Sequence, residues 1–161
     1  MTVGTIAVSG PHEKPFRALE RAPPEHLAHF RYGRRPNLRL ASRQMSLERG
    51  IELFNRGLYW EAHEAWEEAW TPDRHGPDRG FYKGLIQIAA GCLHYRRRNR
   101  RGATNKWRSG ADYLRPYLPR HHGVELAPLV ARVEGYLRAM AGAEWPDHFQ
   151  LPLIEVDQPS G

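Results

Sequence analysis

The chain holds one cysteine, Cys92, among 161 residues. A single thiol can neither close an intrachain disulfide nor supply a cysteine zinc cluster. Cys92 lies in the apolar run GLIQIAAGCL, where it reads as a small buried hydrophobe. Lysine is also scarce, three against 21 arginines, an imbalance that a GC-rich coding sequence produces without selection for phosphate binding. No segment approaches the roughly 18 apolar residues that would span a bilayer. The opening MTVGTIAVSGPHEKP has neither a basic n-region nor an uninterrupted apolar h-region, so the expectation is a cytoplasmic protein with no membrane partner. Phosphate loops, activated nucleophiles and cofactor motifs are missing too. No cofactor and no catalytic residue are therefore assigned, and the balance leans away from an enzyme.

The formal charge of +6 suggests nucleic acid until it is placed along the chain. Residues 1–43 carry eight Lys and Arg against three Glu, which leaves 16 basic against 15 acidic residues from 44 onward. With 40% hydrophobic and 11% aromatic residues, the chain suits one domain with flanking segments. Residues 1–43 form a basic, Pro-rich arm expected to be largely irregular, with a short helix over 24–30. Residues 44–142 form a helical domain, and 143–161 an extended tail packed on it through Trp145, Phe149 and part of 151–156.

Within the domain, Ser46 reads as the N-cap of a first helix carrying Leu47, Ile51, Phe54 and Leu58 at helical spacing, broken at Gly57. A second helix over 59–70 stops at Thr71-Pro72. The third, 78–98, is apolar nearly all round, with Gly84 and Gly91 leaving room for close helix contact. Asn99 interrupts it; a fourth helix covers 101–118, and a fifth carries Leu126, Val130, Val133, Leu137 and Met140. The fold class is all-α: an antiparallel bundle of about five helices, built as two helical hairpins plus a C-terminal helix.

Chemistry concentrates in GLYWEAHEAWEEAW, residues 57–70. At 100° per residue, Tyr59, His63, Trp66 and Trp70 share a stripe with Ala62, Ala65 and Ala69 at its shoulder. Glu67 lies within i,i+4 reach of His63, whereas Glu61, Glu64 and Glu68 fall on the far side. A buried imidazole needs polar partners, and Glu67 is the nearest acceptor. A His-Glu-Gln network with Gln87 is the expected outcome.

His63-Glu64-x-x-Glu67-x-x-Trp70, Gly84-Leu85-Ile86-Gln87-x-Ala89 and Asn99-x-x-Gly102-Ala103 together resemble the family known as domain of unknown function 309. The resemblance covers roughly 46–142 and implies an all-α bundle. It singles out His63, Glu64, Glu67, Trp70, Gly84, Gln87, Gly102 and Ala103 as a structural or ligand-binding cluster. Trp66 departs from it, since the family more often places an aliphatic residue there.

Three functions compete. The favoured one is a scaffold or interaction module that uses exposed aromatics such as Trp60; a homodimer is one form it would take. The second is a metal-binding protein or hydrolase centred on His63, Glu64 and Glu67, with Gln87 and His94 nearby and His63, Glu67 and His94 as candidate ligands. HExxE lacks the second histidine of the zincin motif, and the paired Glu-x-x-His of di-iron bundles is missing. The third is a nucleic-acid-associated protein using the arm and the run Arg96, Arg97, Arg98, Arg100 and Arg101 as an anion site. Cations at a helix C-terminus also oppose the helix dipole favourably, which explains the run without any ligand.

Overall fold

The computed structural model describes residues 38–157. Most of the basic arm, including the helix expected over 24–30, lies outside the described residues. Five helices form the bundle: α1 (Leu38–Asn55), α2 (Tyr59–Trp70), α3 (Arg79–Arg96), α4 (Arg100–Leu114) and α5 (Leu126–Met140). Helices α1 and α2 make one hairpin, α3 and α4 the other, and α5 packs on α4. The all-α architecture read from periodicity is the one found.

Helix α1 starts at Leu38, so Ser46 lies inside it rather than capping it. The first two turns hid from periodicity because they bury nothing: Leu38, Leu40 and Met45 are exposed, while Leu47, Ile51 and Phe54 are in the core. The helix ends on a left-handed Gly57 (φ 77°), with Leu58 N–H donating to Leu53 O (2.9 Å) and Gly57 N–H to Phe54 O (2.8 Å). This is the Schellman closure, which satisfies carbonyls that the helix leaves open. Helix α3 closes identically through Asn99 N–H to His94 O and Arg98 N–H to Tyr95 O. Here the left-handed residue is Arg98 (φ 55°), a conformation costing about 1–2 kcal/mol for a residue with a Cβ. Asn99 then caps α4, its Oδ1 accepting from Gly102 N–H at 2.8 Å. One residue thus ends the first turn and starts the next helix.

Helix α4 stops at Leu114 and tightens into a 3-10 turn, Arg115–Tyr117, at Pro116, rather than continuing to 118. Beyond it lies a feature periodicity did not signal, a small antiparallel sheet. Strand β1 (Arg120–His121) pairs with β2 (Val124–Glu125), which pairs with β3 (Glu155–Val156). Strands of two residues contain too little alternation to register. The β1–β2 turn has positive φ at both centres, His122 (48°) and Gly123 (74°), as a type I′ hairpin requires.

The core has two indole centres. Trp66 is fully buried over Gly50 and donates its Nε1–H to Leu47 O at 3.3 Å. Gly50 accepts the bulky ring, since a Cβ there would meet the indole at 2.2 Å. Trp107 is fully buried between α3 and α5, with Tyr95, Tyr136 and Phe149 around it. The segment after α5 runs over this cluster. Trp145 stacks on Tyr95, Ile154 is buried, and Asn55 holds the Ile154 backbone through both its N–H and its C=O.

Cys92 is buried beside Trp107 and Tyr59, and burial pushes its thiol up to about 12; the proximity of Trp107 and the charge of Arg96 are too weak to offset it. Because the thiolate is the nucleophile, iodoacetamide at pH 8 is expected to leave native protein unmodified and to label it fully in denaturant. Rapid labelling of the native state, followed by mass spectrometry, would contradict this placement.

Candidate functional site

Helix α2 turns Tyr59, Ala62, Ala65, Trp66 and Ala69 into the core. His63 falls at the edge of that stripe, half-buried, and its ring stacks on Trp60 at 5.3 Å with 7° between planes. His63 Nε2 is 3.8 Å from Glu67 Oε1, beyond hydrogen-bond reach. His63 Nδ1 is buried without a hydrogen-bond partner. Gln87 is half-buried on α3, and no hydrogen bond joins it to either residue among the described residues. The expected His-Glu-Gln network is therefore corrected to a loose His63–Glu67 contact and an aromatic stack. The stripe centres on Ala62 and Trp66, which leaves His63 on its shoulder beside solvent.

The other motif residues serve packing. Trp70 is half-buried with Lys83 and Arg74 near its ring, each 5.7 Å from the centroid. Gly84 lets α4 approach, since a Cβ there would lie 2.5 Å from Leu114 and 3.2 Å from Gly110 O. Gly102 leaves space for the His94 ring, whose Nδ1 is 3.1 Å from Asn99 Nδ2. Ala103 is buried, while Glu64 points to solvent. His63, Glu67 and His94 do not converge as metal ligands among the described residues.

Much of the arginine run is committed to the protein itself. Arg96 donates to Gly57 O at 2.6 Å and covers the Tyr59 ring. Arg98 pairs with Asp147 at 2.6 Å. Arg100 gathers the end of α5, donating to Met140 O, Gly142 O (2.8 Å) and Glu144 O (2.6 Å). Arg97 and Arg101 remain exposed. Three of the five thus have a structural role as clamps, Arg96 and Arg98 from exposed positions.

A second cluster escaped the sequence reading. Asp78, just before α3, receives His121 Nε2 at 2.7 Å on one carboxylate oxygen and His122 Nε2 at 2.9 Å on the other. Burial alone would raise the Asp78 carboxyl, but the hydrogen bonds from His121 and His122 together hold it below the usual carboxylate range. Arg43 of α1 stands 3.6 Å from the same carboxylate and 3.5 Å from Asp73. Phe81 lies edge-on to both imidazoles. The only sequence signal was the dipeptide His121-His122, 43 residues beyond Asp78; nothing in local spacing connects them.

Among the described residues, no helix is long and apolar enough to cross a membrane. The chain is similar to "Uncharacterized protein YpuF" of Bacillus subtilis (strain 168), at 36% identity over 75 residues, which is 47% of this chain and 41% of the relative. The chain thus spans about two fifths of that relative's length. The stretch that forms the second half of α1, all of α2 and α3, and the start of α4 matches a family over residues 47–105. Over this segment the chain is similar to the family described as Domain of unknown function (DUF309).

Proposed function

We propose that the protein is a non-enzymatic helical interaction module that binds an arginine- or lysine-rich segment of a partner protein on the outer face of α2. The observation that carries this reading is Trp60, 55% exposed and held parallel to His63, on a helix with four exposed glutamates and no Lys or Arg. Glu67 and Glu68 occupy the last turn of α2, where the dipole disfavours anions by about 0.3–1 kcal/mol each. Among the described residues, no lysine or arginine ion pair offsets that cost; the side chain beside the Glu67 carboxylate is His63, 3.8 Å away. A guanidinium or ammonium would find a carboxylate field and an indole face together, the combination that favours cation–π contact. Exposed tryptophans of this kind commonly dominate interface energetics.

Titration of the full chain with a synthetic Arg-rich peptide, followed by calorimetry, tests this. Binding is expected to be salt-sensitive and to weaken roughly tenfold in Trp60→Ala, equivalent to about 1.4 kcal/mol, with further loss in Glu64→Gln. Equal affinity in all three proteins would overturn the proposal. So would sedimentation showing that the wild type self-associates and that Trp60→Ala makes it monomeric, since the partner would then be a second copy.

A further inference from the structure

We propose that Asp78, His121 and His122 form a mononuclear site for a divalent transition-metal ion of the zinc class. Two imidazole nitrogens and one carboxylate are a donor set suited to borderline metals, and three protein ligands leave a position for water or another ligand. The three donor atoms all lie within 4.8 Å of one another. Both Nε2 atoms face the same carboxylate, at 2.7 and 2.9 Å. Ligands about 2.0–2.2 Å from zinc need only a small opening of that triangle. On binding, each imidazole shifts its proton to Nδ1, which frees Nε2 as a donor.

The surrounding chain holds the triangle from three directions. Tyr117 donates its hydroxyl to Pro77 O at 2.6 Å and accepts from Gly80 N–H at 3.2 Å, tying the loop on both sides of Asp78 to the segment that delivers the histidines. Phe81 and Tyr117 pack on the His121 ring at 4.9 and 4.7 Å. His122 is held at φ 48° by the β1–β2 turn, a conformation sparsely used by residues with a Cβ. It brings two consecutive histidines to one point, with rings 4.2 Å apart, where an extended strand would send them to opposite faces.

The site opens on a cleft of about 260 Å³ lined by Leu40, Arg43, Gln44, Asp78, Tyr82 and His122. Arg43 is the opposing charge, but it is shared with Asp73. His121 and His122 lie beyond the segment matched to the family, so the site is not one that the family assignment supplies. It is also separate from the α2 face, since neither Trp60 nor His63 contributes a donor.

The test uses the full chain, stripped with chelator, dialysed and titrated with Zn²⁺ by calorimetry and with Co²⁺ by visible absorption. The wild type is expected to take up one equivalent and to show cobalt d–d bands. His122→Ala, at an exposed position, and Asp78→Asn should each weaken binding at least tenfold with circular dichroism unchanged. His63→Ala should bind as wild type. Failure of the wild type to take up stoichiometric metal would overturn the site and leave a hydrogen-bonded Asp-His-His cluster. Unchanged binding in both His122→Ala and Asp78→Asn, or loss confined to His63→Ala, would overturn it equally.

Discussion

Replacing Trp107 by alanine is expected to lower stability by about 3–5 kcal/mol, the range for truncating a buried tryptophan, measured by urea denaturation. Trp107 is fully buried and touches Tyr95, Tyr136 and Phe149, so its indole joins α3, α4, α5 and the segment after α5. Its Nε1–H has no hydrogen-bond partner, which means the loss is almost entirely packing. Domains of this size have about 5–15 kcal/mol in total, so the variant should be close to unfolding at 37 °C. A cost below about 1 kcal/mol would mean that the tail and α5 do not pack on this ring.

The second large effect is at Gly91, whose substitution should depend on Trp107. Alanine in a helix interior normally gains about 0.5–1 kcal/mol over glycine. At Gly91, however, a Cβ would lie 2.3 Å from Trp107 Cδ1 and 2.5 Å from Nε1. A rigid, fully enclosed indole cannot yield that distance, so α3 and α4 must separate, and overpacking of this kind costs about 1–3 kcal/mol. Gly91→Ala alone should therefore destabilise. In a Trp107→Ala background the obstructing atoms are gone, and the same change should become neutral or stabilising. A double-mutant cycle reads this directly; additive effects would show that Gly91 and Trp107 are not in contact.

The same pair shows how much of the fold was legible in the sequence. Glycines seven apart on an otherwise apolar helix announce a close crossing, and α4 does approach there, with Gly110 and Gly84 facing each other's backbones. The hairpins were legible because Pro72, Gly57 and Asn99 punctuate strong apolar periods. The first turns of α1 were not, because a helix that buries nothing leaves no period. The strands β1–β3 were too short to alternate.

At the candidate site, the residue types of α2 were legible but their environment was not. Periodicity placed His63 on a stripe with Trp66, yet only the packing of α1 and α3 shows which part of the stripe is covered and which is shoulder. Trp66, the departure from the family pattern, is accommodated by Gly50 on the facing helix, a compensation visible only across the hairpin. The Asp78–His121–His122 cluster depends on a turn with two positive φ values joining residues distant in sequence, and no local spacing reports that.

Amide mapping of α2 tests the central claim most directly: ¹⁵N-labelled full-length protein is titrated with the Arg-rich peptide, and the perturbed resonances are assigned. The account predicts shifts concentrated on residues 59–70, including the Trp60 indole, and their loss in Trp60→Ala. Shifts confined to other surfaces, or none at saturating peptide, would contradict it.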